Sequence, residues 1–211
     1  DDVSIGDYRE RGYLPEAMVN YLALLGWGPP DEVEIRPLSE IVDLFRIQDV
    51  NKAAAFFDLK KLEHVNSTHL RALDRDDFID RVSPWVGDDA PWPPERFDAG
   101  LFSVMVDLVQ EKLRTFGDTT RFVDFLFLED PLDDADSWEK TMVKGRSAAE
   151  VLDGTAAAFA DCAWEAGVLK DVVAEVGEGV GLKLGKAQAP LRVAVTGRTV
   201  GPPLFETMAD F

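Results

Sequence analysis

The chain has 211 residues, 46% of them hydrophobic and 29% charged, with a net charge of −18. That is ample for a sizeable core, but strong acidity argues against a general nucleic-acid binder, which needs a basic face. The single cysteine, Cys162, excludes an internal disulfide and favours a cytoplasmic setting. No apolar run reaches the about 20 residues needed to span a bilayer. Opening on Asp1 rather than methionine suggests an excised piece.

In chain order, Pro15 stands in the first turn of an expected helix. Ala17, Met18, Tyr21, Leu22, Leu24 and Leu25 follow at helical spacing, and Gly26 ends it. The run 27–31 reads as a turn. Ser39 is expected to cap a helix through Phe45. Asp58 is placed to cap 59–65 and Asn66 to cap 67–73, giving two short helices back to back. Asp76 and Asp77 open another, and the proline-rich 84–94 reads as a linker exposing Trp85 and Trp92. A long amphipathic helix is expected over 95–116, with Phe97, Leu101, Val104, Met105, Leu108, Val109 and Leu113 on its apolar face. Further helices are expected over 119–127, 147–167 and 169–176, with a break at 129–138. Only 193–196 (VAVT) reads as a strand. The fold class is therefore mainly α, in three sections: 1–75, 76–145 and 146–211.

The acidity is uneven. Residues 1–75 carry 9 Lys and Arg against 14 Asp and Glu, 76–145 carry 7 against 17, and 146–211 carry 6 against 9. Within the last section, 179–205 holds Lys183, Lys186, Arg192 and Arg198 and no carboxylate. Its glycines and prolines predict short pieces rather than one long helix, and its charge suggests a surface for an anion. Opposed to this is an ordinary edge whose cations pair with carboxylates elsewhere.

Other candidates for chemistry are weak. His64 and His69 are five apart and do not share a helix face, so they are not a metal pair. Glu129, Asp130, Asp133, Asp134 and Asp136 lack the glycine and spacing of a calcium loop and read as helix-capping acids. Around Gly185-Lys186, Val180 and Ala187 stand where a phosphate loop needs Gly and Ser or Thr. Cys162 reads as core rather than nucleophile. No catalytic constellation emerges, and no metal site is expected.

Two blocks are far more specific. DYRERGYLPEAMVNYLALLGWGPPD (7–31), followed by FRIQDVNKAAAFFDLKKLEHVNSTHLRAL (45–73), resembles the region just after the KMSKS-type loop of bacterial glutamyl-tRNA synthetases. KLGKAQAPLRVAVTGRTVGPPLFE (183–206) resembles the anticodon-binding region of the same family. The family joins glutamate to its tRNA with ATP and Mg. Its Rossmann domain, HIGH-type motif and KMSKS-type loop would precede Asp1 and its last helix would continue past Phe211. The resemblance therefore implies a tRNA-binding half that is inactive alone and needs no cofactor of its own.

By the same resemblance, 1–75 is a stem-contact section, and 76–145 and 146–211 are two helical anticodon-binding subdomains. Arg192 aligns with an arginine contacting anticodon bases, and Pro202 and Leu204 fall in the adjacent base-contacting loop. Lys112 stands where discriminating members carry an arginine that reads the third anticodon base; Arg114, two residues on, is the alternative donor. Lys61, Asn66 and Arg71 match positions near the tRNA backbone. The implied partner is the tRNA for glutamate, with that for glutamine as a second candidate. No membrane, no DNA and a monomeric state are expected. The competing reading is an acidic helical domain that docks proteins without RNA, motivated by the charge of 76–145 and by Trp85 and Trp92.

Overall fold

The computed structural model describes residues 4–51, 56–87, 90–130 and 133–210. Its helices are α1 (Ile5–Glu10), α2 (Pro15–Leu24), α3 (Leu38–Leu44), α4 (Leu59–Ala72), α5 (Arg75–Val86) and α6 (Ala99–Gln110). After them come α7 (Thr119–Phe127), α8 (Ala135–Trp138), α9 (Ala148–Phe159), α10 (Ala166–Gly179), α11 (Leu184–Thr196) and α12 (Leu204–Ala209). A π-helical turn, Glu139–Val143, continues α8. No strand occurs among the described residues, so the mainly α class holds. The backbone forms two compact units, Asp1–Ala90 with Val109–Thr120, and Pro91–Leu108 with Arg121–Phe211.

In the first unit α2 packs on α4 around the fully buried Leu14, Tyr21, Leu62, Val65 and Leu70. Asp58 caps α4 as expected, its carboxylate accepting from the Lys60 and Lys61 N–H groups. The two helices expected over 59–73 are one. Asn66 does not cap. It is completely buried in mid-helix, where its Oδ1 accepts from Leu14 N–H (2.8 Å) and its Nδ2 donates to the Arg114 carbonyl (2.5 Å). A residue favoured at helix starts for its local bonding is used here for distant partners. Gly12, at φ +81°, lets two backbones meet: Phe116 N–H donates to the Gly12 carbonyl, and a Cβ on Gly12 would fall 2.5 Å from Gly117 N.

The expected linker also differs. α5 runs through Pro84 to Val86, and Trp85 stacks on Phe116. Trp92, in the second unit, is 4% exposed, packed against Phe97 and Phe127. Proline and tryptophan look like surface punctuation in sequence, yet both indoles cover aromatic cores. Asp88 and Asp89 of that segment, and Pro131 and Leu132 of the 129–138 break, lie outside the described residues. The helix expected over 95–116 is shorter: a 3₁₀ turn spans Pro94–Arg96, α6 covers twelve residues, and Leu113 is buried beyond its end.

The second unit holds α9, α10, α11 and α12 around Val151, Leu169, Val173, Ala187, Leu191, Leu204, Phe205 and Met208. α10 and α11 approach so closely that a Cβ on Gly177 would lie 2.6 Å from Ala187 Cβ. The helix expected over 147–167 ends at Phe159, and the next starts at Ala166 and runs to Gly179. The expected strand is overturned, since 193–196 is the last turn of α11, with Val193 1% exposed in the core. β-branched residues disfavour helix by only tenths of a kcal/mol, and packing decides. The short pieces expected in 179–205 are likewise replaced by a 13-residue helix containing Gly185 and Pro190. The N–H missing at Pro190 would have bonded the carbonyl of Lys186, an exposed residue. Gly197, at φ +72°, closes α11.

Candidate nucleic-acid interface

The basic run 179–205 is divided by the fold into three environments. Lys183 and Lys186, at the start of α11, are exposed. Arg192 is partly buried; its guanidinium donates to the Pro202 carbonyl at 2.6 Å. Arg192 makes no ion pair among the described residues. Burial pulls its pKa below the usual arginine value, and Glu206 opposes that shift. Arg198 is 6% exposed and donates twice to the Asp124 carboxylate (2.9 and 2.8 Å) and again to the Arg121 carbonyl. Its charge is met by a carboxylate inside the fold, whereas that of Arg192 is not among the described residues.

This geometry revises the loop residues. Pro202 and Leu204 are buried, so neither side chain presents a surface to a base. Leu204 anchors α12 in the core, and Pro202 offers its carbonyl to Arg192. What they contribute is position. A Cβ on Gly201 would fall 3.4 Å from a guanidinium nitrogen of Arg192, so the turn lies directly against that group. Arginine carries five N–H donors in a rigid fork; one is anchored to protein and the rest suit a planar acceptor edge.

In the first unit Lys61, Asn66 and Arg71 stand on α4, and Arg114 reaches it through Glu63. Lys61 pairs with Glu34 at 2.7 Å, with side chains 41% and 52% exposed. Arg71 is exposed and donates to Thr68 Oγ1 (3.2 Å). Arg114 pairs with Glu63 at 3.3 Å, and its carbonyl is the acceptor that Asn66 holds. Lys112 lies exposed in the turn after α6 rather than inside a helix. Exposed pairs of this kind are worth about 0–1 kcal/mol. Asn66 has no surface, so its expected backbone contact is replaced by a role in holding Leu14 and Arg114.

His69 Nε2 lies 3.0 Å from Asn20 Oδ1, an acceptor, so that nitrogen carries the proton. Burial lowers the His69 pKa, partly offset by Glu16. Of the acidic group at 129–136, Asp134 caps α8. Its carboxylate accepts from Ser137 Oγ and N–H, which hold its pKa below the usual value. Cys162 packs partly buried against the α9–α12 core. No group of His, Cys, Asp or Glu is arranged to hold a metal among the described residues, and no helix there is long and apolar enough to cross a membrane.

The family model described as "Anticodon binding domain" matches residues 77–210. The chain belongs to that family. Residues 2–64 match a second model, the catalytic domain of class I tRNA synthetases (E and Q). The chain is 52% identical over 211 residues to a glutamate–tRNA ligase of Thermobifida fusca, covering 99% of this chain and 44% of that protein. It is 50% identical to one of Frankia casuarinae, again over 99% of this chain and 44% of the relative. A crystal structure of a glutamate tRNA ligase from Elizabethkingia meningosepticum, in complex with its amino acid, is similar at TM-score 0.71 and 26% identity. It is matched over 96% of this chain and 39% of that one. The chain thus spans under half the length of these relatives. As an anticodon-binding family member it carries Lys112, Arg114 and Arg192 inside the matched residues.

Proposed function

We propose that this chain is the tRNA-recognition part of a glutamate–tRNA ligase and that it binds the tRNA for glutamate. The carrying observation is Arg192: a guanidinium pinned through one donor, without a carboxylate partner among the described residues, inside the anticodon-binding match. Unstacked anticodon bases are read at their edges by rigidly placed donors, and Arg192 is such a donor. Lys112 or Arg114 reads a second base, while Lys61 and Arg71 neutralise phosphate near the stem. In this reading 1–75 contacts the stem, and 76–145 and 146–211 contact the anticodon. The chain works as a cytoplasmic monomer, without DNA or a cofactor of its own. ATP and Mg serve the catalytic region of the longer relatives, and the chain alone does not aminoacylate; charging of the tRNA with labelled glutamate by the isolated chain would refute that last point.

The deciding experiment is binding to unmodified glutamate and glutamine tRNA transcripts across a salt series. Saturable binding that falls steeply with salt is expected. Arg192→Ala should weaken it by about 1–3 kcal/mol, the range for a base-edge contact. Unchanged affinity would remove Arg192 from the interface. Lys112→Gln should narrow any preference between the two tRNAs. Binding of neither tRNA by the folded chain would favour the protein-docking alternative, although the packing of Trp85 and the burial of Trp92 remove one of its motives.

A further inference from the structure

The turn joining α8 to α9 carries features that the anticodon residues named above do not use. It is a π-helical turn, Glu139–Val143, followed by Gly145 and by Ser147 in the left-handed region at φ 61°. A Cβ on Gly145 would fall 1.8 Å from the Thr141 carbonyl oxygen, so this turn closes only with glycine there. Such irregular turns recur at functional sites. The turn packs against α9 and α11, and between them lies a groove of about 440 Å³, lined by Trp138, Met142, Ala148, Ala149, Leu152 and Ala194. Trp138 is 45% exposed on its rim. The volume falls in the range of small-molecule sites, about 300–1,000 Å³, and the alanines leave room for a flat ring.

The charge beside the groove selects the occupant. Residues 139–146, the turn beside the groove, carry Lys140, Lys144 and Arg146 against Glu139, with the exposed Asp136 before this run and the exposed Glu150 after it. All three cations are exposed; only Lys144 is ion-paired among the described residues, to Glu139 at 3.1 Å with both side chains more than half exposed. An aromatic face with cations along one side is the arrangement by which single-stranded nucleic acid is held: bases stack and phosphates are neutralised. An apolar protein partner would gain little from the cations.

We infer that the Trp138 groove receives an unstacked nucleobase of an RNA strand, with Lys140, Lys144 and Arg146 against its phosphates. The groove deepens the tRNA-recognition reading and rests on it. It contributes stacking, which tolerates any base, whereas Arg192 contributes edge contacts. The subsite therefore adds affinity without choosing between tRNAs.

The test uses the 211-residue chain with 5-fluorotryptophan at its five tryptophans, titrated with an unmodified glutamate-tRNA anticodon stem-loop. Trp138→Phe identifies the Trp138 fluorine resonance, which should shift and saturate together with binding followed by anisotropy. Trp138→Ala should weaken binding about tenfold or more, and Trp138→Phe should retain most of it. Circular dichroism checks that both variants fold, as expected for a half-exposed side chain. Replacing Lys140, Lys144 and Arg146 by Gln should flatten the salt dependence. A Trp138 resonance that stays still at saturating RNA, while Arg192→Ala still weakens binding, would overturn the groove and leave tRNA recognition standing. A resonance that moves with protein concentration rather than RNA would make the groove a self-association surface and also overturn it. Failure of the unmodified chain to bind RNA at all would refute both.

Discussion

The cations of the two compact units are held in opposite ways. Around α4, Lys61 and Arg114 lie at the surface in pairs with Glu34 and Glu63, and Arg71 donates to a hydroxyl of its own helix. In the second unit Arg198 is sealed against Asp124, and Arg192 is fixed by a backbone carbonyl with no ion pair among the described residues. The lesson is that positive charge in a sequence is not yet a site. A cation becomes available for an anion when the fold holds it without neutralising it, and of these residues Arg192 meets both conditions most fully.

Asp124→Ala should have the largest effect, about 3–5 kcal/mol of stability, because it leaves the Arg198 guanidinium buried without its carboxylate. Urea unfolding monitored by circular dichroism measures this; a loss below 1 kcal/mol would mean that Arg198 is easily rehydrated. Asn66→Ala comes next, at about 2–4 kcal/mol, since it strands the Leu14 N–H and the Arg114 carbonyl. RNA affinity per folded molecule should stay nearly unchanged. A large affinity loss with intact stability would return Asn66 to the interface. Arg192→Ala should show the reverse pattern, weakening RNA binding by about 1–3 kcal/mol with little change in stability. Lys61→Ala and Arg71→Ala should cost under about 0.5 kcal/mol of stability and lower the salt slope of binding slightly.

The smallest effect is one of pH. Burial depresses the folded-state pKa of His69, so the unfolded chain takes up the proton more readily. The stability this neutral histidine supports is present above its ordinary value of about 6.5 and declines as the pH falls through it. His69→Gln should remove that decline from urea midpoints compared at pH 7.5 and 5.5. The same decline in both proteins would assign the pH dependence to another group.

Much of this architecture was legible in the residues. Pro15 at the first turn of α2, Asp58 capping α4 and the helix expected over 119–127 depend on residues within one or two turns, where local sterics and hydrogen bonding dominate. The family was legible from long blocks of residues, and Arg192 is singled out by its place in one of them. Roles that depend on distant partners were not. Asn66 reads as a cap until Leu14 and Arg114 are brought to it. VAVT reads as a strand until Val193 is wanted in a helical core, and Trp92 reads as exposed until Phe97 and Phe127 cover it.

Taken alone, the sequence determined that the chain is mainly helical, acidic overall with a basic C-terminal run, and similar to glutamate–tRNA ligases. Helical period, capping chemistry and charge are properties of neighbouring residues. Only the tertiary structure decided which cations are paired inside the fold and which have no ion pair among the described residues. Arg192 and Arg198 are six residues apart in one basic run, yet burial beside Asp124 neutralises one, and the turn at Gly201 and Pro202 orients the other. That outcome depends on which groups the chain brings within a few ångströms, a property of packing that no local pattern encodes.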